Sequence, residues 1–183
     1  MSCINTPLNG LAYDKCLANV GGIEAVYIAK FEDVSAVTLN TLSGNTQPVV
    51  SSITMESGKT FMGYHFREET GSLTGTLNVS DNGGRYYTNE ANLVFDRMEK
   101  QKHLEISVLA SEASSVIVKD NNGEYWLLSK DKPVYASANV AETSAGYDDH
   151  NGYNLTLSVR SQFMPLYVEA SVAQGVIEEP AGE

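Results

Sequence analysis

The sequence predicts a mainly β fold: a β-barrel or sandwich of antiparallel hairpins with one short flanking α-helix. Three observations carry this. Apolar and polar residues alternate with period two in Ser72–Val79 and again in Tyr153–Arg160, as in strands with one face buried and one wet. Asn-Gly pairs begin at residues 9, 82, 122 and 151, and both residue types tolerate the positive φ angles of tight hairpin turns. One stretch, Lys100–Ser111, departs from the pattern and is rich in helix formers.

In chain order, residues 1–20 read as an irregular N-terminal arm. Gly21-Gly22 opens a strand at Ile23–Lys30 whose two faces are both partly apolar, so it is expected between two layers. A short strand at Ala36–Leu39 is followed by a loop through Ser43 to Pro48 and a strand at Val49–Met55. Thr60–Ser80 reads as two long strands joined by a tight turn, the central hairpin of the fold. Its second arm places Leu73, Leu77 and Val79 on a core face and Ser72, Thr74, Thr76 and Asn78 on a wet face. Asp81–Gly84 turns the chain into a return strand, Tyr86–Met98, with a break near Asn89. The Lys100–Ser111 helix is expected to pack through Leu104 and Val108. A hairpin, Val116–Lys119 with Glu124–Ser129, crosses Asn122-Gly123. Val134–Asn139 and Tyr153–Arg160 close the domain, with Tyr153, Leu155, Leu157 and Val159 sharing the core of Leu73, Leu77 and Val79. Domain organisation follows: the arm at 1–20, one β domain at 21–168, and a flexible acidic C-terminal tail at 169–183.

The 183 residues, of which 42% are hydrophobic, suffice for one substantial core. Twelve basic against 23 acidic residues give a formal net charge of −11, a field that opposes tight binding to a phosphate backbone or an anionic membrane. No apolar run approaches the roughly 20 residues of a membrane span, and no secretory signal is legible, so the chain is expected to be made in the cytoplasm with Cys3 and Cys16 as free thiols.

Fragments of catalytic and metal motifs occur, but none is complete. Ser57-Gly58-Lys59-Thr60 resembles the end of a phosphate loop, but the first glycine of that motif is replaced by Ile53 and a strand follows. Asp120–Glu124 lacks the spacing and distal glutamate of a calcium loop. His65, His103 and His150 share no ligand spacing. The adjacent carboxylates Glu68-Glu69 and Asp148-Asp149 lie in turns, where adjacency does not provide an acid facing a base. The expectation is of no enzyme activity, no catalytic residue, no metal site and no cofactor.

The pieces GGIEAVYIAKFEDV, REETGSLTGTLNV, NLVFDRMEKQKHLEISVLA, VIVKDNNGEYWLLSKDKPV and YNLTLSV resemble virion tail proteins of crAss-like and related tailed phages of Bacteroidetes, themselves similar to the tail-tube family. The resemblance covers roughly Gly21–Val168. It implies a virion structural protein that forms rings with copies of itself around a DNA channel, beside other tail or portal-proximal proteins, with no membrane contact. It also implies that the central hairpin contributes to the inner sheet. Ser72, Thr74, Thr76 and Asn78 are then the candidate channel lining, past which DNA slides without specific binding, and the virion tail is the expected location. The alternatives are a monomeric ligand-binding β-barrel and a head-completion or decoration protein.

Overall fold

The structure is a computed structural model and describes residues 10–11, 19–42, 45–143 and 145–180. Most of the expected N-terminal arm lies outside the described residues. The described elements are β1 Ile23–Lys30, β2 Val34–Leu42, β3 Asn45–Met55, β4 Phe61–Tyr64, β5 Ser72–Val79, β6 Arg85–Asp96, α1 Lys100–Ser111, β7 Ser114–Asp120, β8 Tyr125–Leu127, β9 Tyr135–Thr143, β10 Asn151–Ser161, β11 Leu166–Val168, α2 Ala170–Gln174 and β12 Ile177–Glu178. A single 3₁₀ turn, Phe31–Asp33, links β1 to β2. The fold is mainly β with one helix of any length, as the alternation predicts.

The strands form two sheets. One has eight strands in the order β12-β4-β1-β7-β8-β11-β3-β2, and the other has four in the order β5-β6-β10-β9. All pairs are antiparallel except β11 with β3 and β12 with β4. β1 is buried on both faces, because one face meets the four-stranded sheet and the other meets its own curled sheet. Between the sheets, Val26, Ile28, Val116 and Val118 pack against Leu93, Phe95, Tyr153, Leu155, Leu157 and Val159. A second cluster gathers Tyr27, Val50, Phe61, Ile117, Leu127, Leu166 and Val168 from the opposite face of the large sheet. That one face of six strands converges on a single cluster requires the sheet to curl.

The expected Thr60–Ser80 hairpin does not exist. β4 joins the large sheet beside β1, while β5 joins the small sheet beside β6. Residues 65–71 are a crossover between sheets, held by Arg67 N–H to Val94 O at 3.1 Å and by Thr70 Oγ1–H to Arg67 O at 2.6 Å. The hairpin at this place is β5–β6, turning at Asp81–Gly84, with Gly83 at φ +78° and its N–H on Ser80 O. β6 runs unbroken through Asn89.

Helix α1 has the predicted bounds, but its packing face is corrected. Ile106 and Leu109 are buried, and Leu104 and Val108 are exposed. The helix lies against the gap between β4 and β9, so the stripe at 106 and 109 reaches the core while the one at 104 and 108, on another side, stays in solvent.

The acidic tail is corrected as well. Residues 169–180 are packed, with Ala173 fully buried and Val172, Val176 and Ile177 against the second cluster. The hydroxyl of Tyr27 donates to Glu179 at 2.7 Å, and that of Thr60 donates to Glu178 at 2.9 Å. Composition alone hid the apolar spacing at 172, 173, 176 and 177.

Candidate functional site: the outer face of the four-stranded sheet

Side-chain alternation and register together define this face. Ser72, Thr74, Thr76 and Asn78 on β5 lie opposite Asn92, Glu90, Thr88 and Tyr86 on β6. Asn92, Glu90 and Thr88 lie in turn opposite Thr156, Ser158 and Arg160 on β10. Thr156 and Ser158 face Ala138 and Tyr135 on β9 across a bulge that restores the alternation. The four candidate lining residues therefore point away from the core, on one side of a broad polar surface.

Hydrogen bonds tie the face together laterally. The Asn78 amide donates to Thr88 Oγ1 at 2.9 Å, and the Asn92 amide donates to Ser72 Oγ at 3.3 Å. Thr156 Oγ1–H donates to Asn92 Oδ1 at 2.7 Å, and Ser158 Oγ–H donates to Glu90 Oε1 at 3.1 Å. Such cross-strand pairs fix hydroxyls and amides in place instead of leaving them as free ligands. Two ionisable groups interrupt the middle of the face. Glu90 is engaged by Ser158, and the guanidinium of Arg160 sits over the Tyr86 ring, 5.6 Å from its centroid. At one end, His150 lies 3.4 Å from Asp96 and 3.6 Å from Glu142.

The sequence identified the β5 residues and the wet face of β10. It missed Thr88 and Asn92, whose alternation with Asn89, Ala91 and Leu93 was present in β6 but obscured by the break assumed at Asn89.

The core-facing side of β5 is corrected in part. Tyr153, Leu155, Leu157 and Val159 are buried as expected, and Leu73 packs against the same cluster. Leu77 is 50% exposed and Val79 is 61% exposed. The parity is right, but β10 ends opposite Tyr87, so the tip of the hairpin overhangs the core. Gly75, just before the overhang, is where Pro165 crosses: a Cβ there would lie 2.6 Å from Pro165 Cδ.

The edge strands of this sheet, β5 and β9, have no second strand partner on their outer sides among the described residues and run in opposite directions. They are also offset. Through β6 and β10, Thr74 is level with Tyr135 and Ser72 with Ala138, so β5 reaches beyond the level of β9 at one end and β9 beyond the level of β5 at the other.

Elsewhere, the three histidines lie far apart in their contacts: His65 with Glu179, His103 with the Tyr153 hydroxyl and His150 as above. No group of three or more metal-ligating side chains occurs among the described residues. The Asp120 carboxylate is taken up by its own hairpin, accepting from the Asn122 and Glu124 N–H groups and from the Trp126 indole, each at 2.9 Å. A cleft between α1 and β4 is walled by Tyr64, Phe95 and Ile106 with Glu99, Lys102 and Glu105 at its rim. Burial and the neighbouring Glu105 carboxylate push the Tyr64 phenol up to about 12. Among the described residues no helix is long and apolar enough to cross a membrane.

No protein-family model and no curated protein matches this chain. Among solved structures, a chain from the virion of a native gene transfer agent particle is similar at 8% identity with a TM-score of 0.35, covering 77% of this chain and 99% of that chain.

Proposed function

We propose that this protein is a virion structural component whose copies close into a ring, part of a tail tube or barrel around a DNA channel, with the polar face of the four-stranded sheet turned inward. The observation that supports this reading is the face itself. It is broad, polar and laterally hydrogen-bonded, and it is bounded by two unpaired edges that run in opposite directions. Because the strand number is even, a copy rotated about a ring axis presents its β9 antiparallel to β5 of its neighbour. The alternation of directions thus continues across the boundary, and the complementary offset of the two edges supplies the stagger a closed sheet needs. Four strands at about 4.8 Å spacing give each subunit about 19 Å of circumference before tilt.

A wall mostly of hydroxyls and amides, its Arg160 guanidinium seated over the Tyr86 ring, on a protein of net charge −11 offers DNA few cations to exchange for its condensed counterions, so DNA passes with little retention. Ser72, Thr74, Thr76, Asn78, Thr88, Asn92, Thr156 and Ser158 form the lining. In this role the protein acts as a structural part of the virion tail.

Light scattering and electron microscopy of the purified protein test the ring. Closed rings of uniform subunit number are expected, and a protein that stays monomeric at high micromolar concentration refutes it. In particles, Thr76→Lys adds a circle of positive charge, and DNA ejection is expected to slow, less so as salt rises.

A further inference from the structure

We infer that the tip of the β5–β6 hairpin seats on helix α1 of a second copy of this chain, with Leu77 and Val79 covering the partner copy's exposed helical stripe. The inference rests on the ring reading and names the contact that would hold it.

Among the exposed apolar side chains of the described residues, two pairs lie beside the open edges of the small sheet, while Tyr135 and Val140 of β9 are exposed on its outer face. The first is Leu77 and Val79, two residues apart on the core-side face of the overhanging end of β5. The second is Leu104 and Val108, one helical turn apart, 58% and 49% exposed. Helix α1 runs beside β9. It begins where β6 ends, with the Lys102 ammonium on Asp96 O at 3.0 Å, passes Tyr153 through His103, and ends near the Ser114–Val134 bridge that precedes β9. It therefore occupies the levels into which β9 overhangs. When β5 of one copy is slid along to pair with the overhang of β9 on another, its core-side residues come to the helix side of that strand.

One patch completes the other, and both are on the same chain. This is the requirement for a head-to-tail contact that can repeat around a closed ring. Four side chains alone are too small an interface to stand by themselves, since stable ones bury roughly 800 Å² per partner, so the contact acts together with the strand pairing. One neighbour thus accounts for the apolar residues that both the hairpin and the helix carry toward solvent.

The test is disulfide capture between two singly substituted copies, each also carrying Cys3→Ser and Cys16→Ser. An equimolar mixture of Leu77→Cys and Leu104→Cys proteins is oxidised mildly, and the control mixture pairs Leu77→Cys with Thr54→Cys, an exposed site on the other sheet. A covalent dimer in the first mixture, well above the control, is expected. In parallel, Leu77→Asp is expected to raise the concentration for half assembly by at least about tenfold with the urea midpoint of the monomer unchanged. Rings that form normally with Leu77→Asp, and show no capture above control, overturn the docking contact while leaving the ring reading intact. Capture without rings supports the contact and overturns the ring. Neither capture nor assembly overturns both.

Discussion

Replacing Leu157 by Ala is the sharpest probe of the sandwich. Leu157 is fully buried in the middle of the small sheet, and its cross-strand neighbours are Ala91 on β6 and Ala136 on β9. With alanines on both sides, no large neighbour in the sheet can swing into the space left by the missing carbons. The loss should therefore fall in the upper part of the 2–5 kcal/mol range for buried leucines, about 4 kcal/mol. In urea, with a slope of about 2.5 kcal/mol/M, the midpoint drops by about 1.6 M at constant slope. Leu77→Ala is the matched comparison. It is half exposed and leaves no closed cavity, so its loss in dilute monomer should stay below about 1 kcal/mol. A loss below 1 kcal/mol at position 157, or above 2 at position 77, would refute both the register of the small sheet and the overhang of its hairpin.

Two further outcomes are expected. Asn89, fully buried, donates its amide to Leu128 O at 2.7 Å and to Phe163 O at 3.0 Å. Asn89→Asp sets a carboxyl group against those carbonyls and keeps it protonated in the fold, so unfolding in urea should show a loss of about 3–5 kcal/mol at pH 7 that partly recovers below pH 4; equal losses at both pH values would refute this. The second concerns alkali. Tyr27 is pushed above the ordinary tyrosine range by burial and by its bond to Glu179, and Tyr64 is pushed up to about 12. Unfolded tyrosines ionise near 10 while the folded ones keep their protons, so stability is complete below that pH and falls as pH climbs through about 12. Lys119, raised by its hydrogen bond to Glu24, contributes with the same sign. A Tyr27→Phe, Tyr64→Phe double variant should show a flatter decline over that window in urea titrations.

How far the sequence could be read depended on the range of the interaction. The β10 alternation from Tyr153 to Val159 and the bounds of α1 are local, set by pleat and helical periodicity, and both are found in the structure. Which sheet a strand joins is not local. Phe61–Tyr64 and Ser72–Val79 each read correctly as strands, yet nothing in their pattern records that one pairs with β1 and the other with β6. The helix face failed for a related reason: Leu104 and Val108 form as good an apolar stripe as Ile106 and Leu109, and only the position of the sheets decides between them. On the candidate face, the parity of Ser72, Thr74, Thr76 and Asn78 was legible from β5 alone. The extension through Thr88 and Asn92 needed the register of β6.

β11 is three residues long, but it sits between β8 and β3 and, among the described residues, is the only strand joining the β2–β3 hairpin to the rest of its sheet. Those three residues, Leu166–Val168, come late in the chain, whereas the hairpin they attach is made early. During synthesis the β2–β3 hairpin therefore lacks its strand pairing to the rest of the sheet until more than a hundred later residues have left the ribosome. Its docking is a step of high sequence separation, which is slow for a chain of this kind. Truncations that reach this short strand should release the hairpin from the sheet as a unit while leaving the β1–β7 pairing formed.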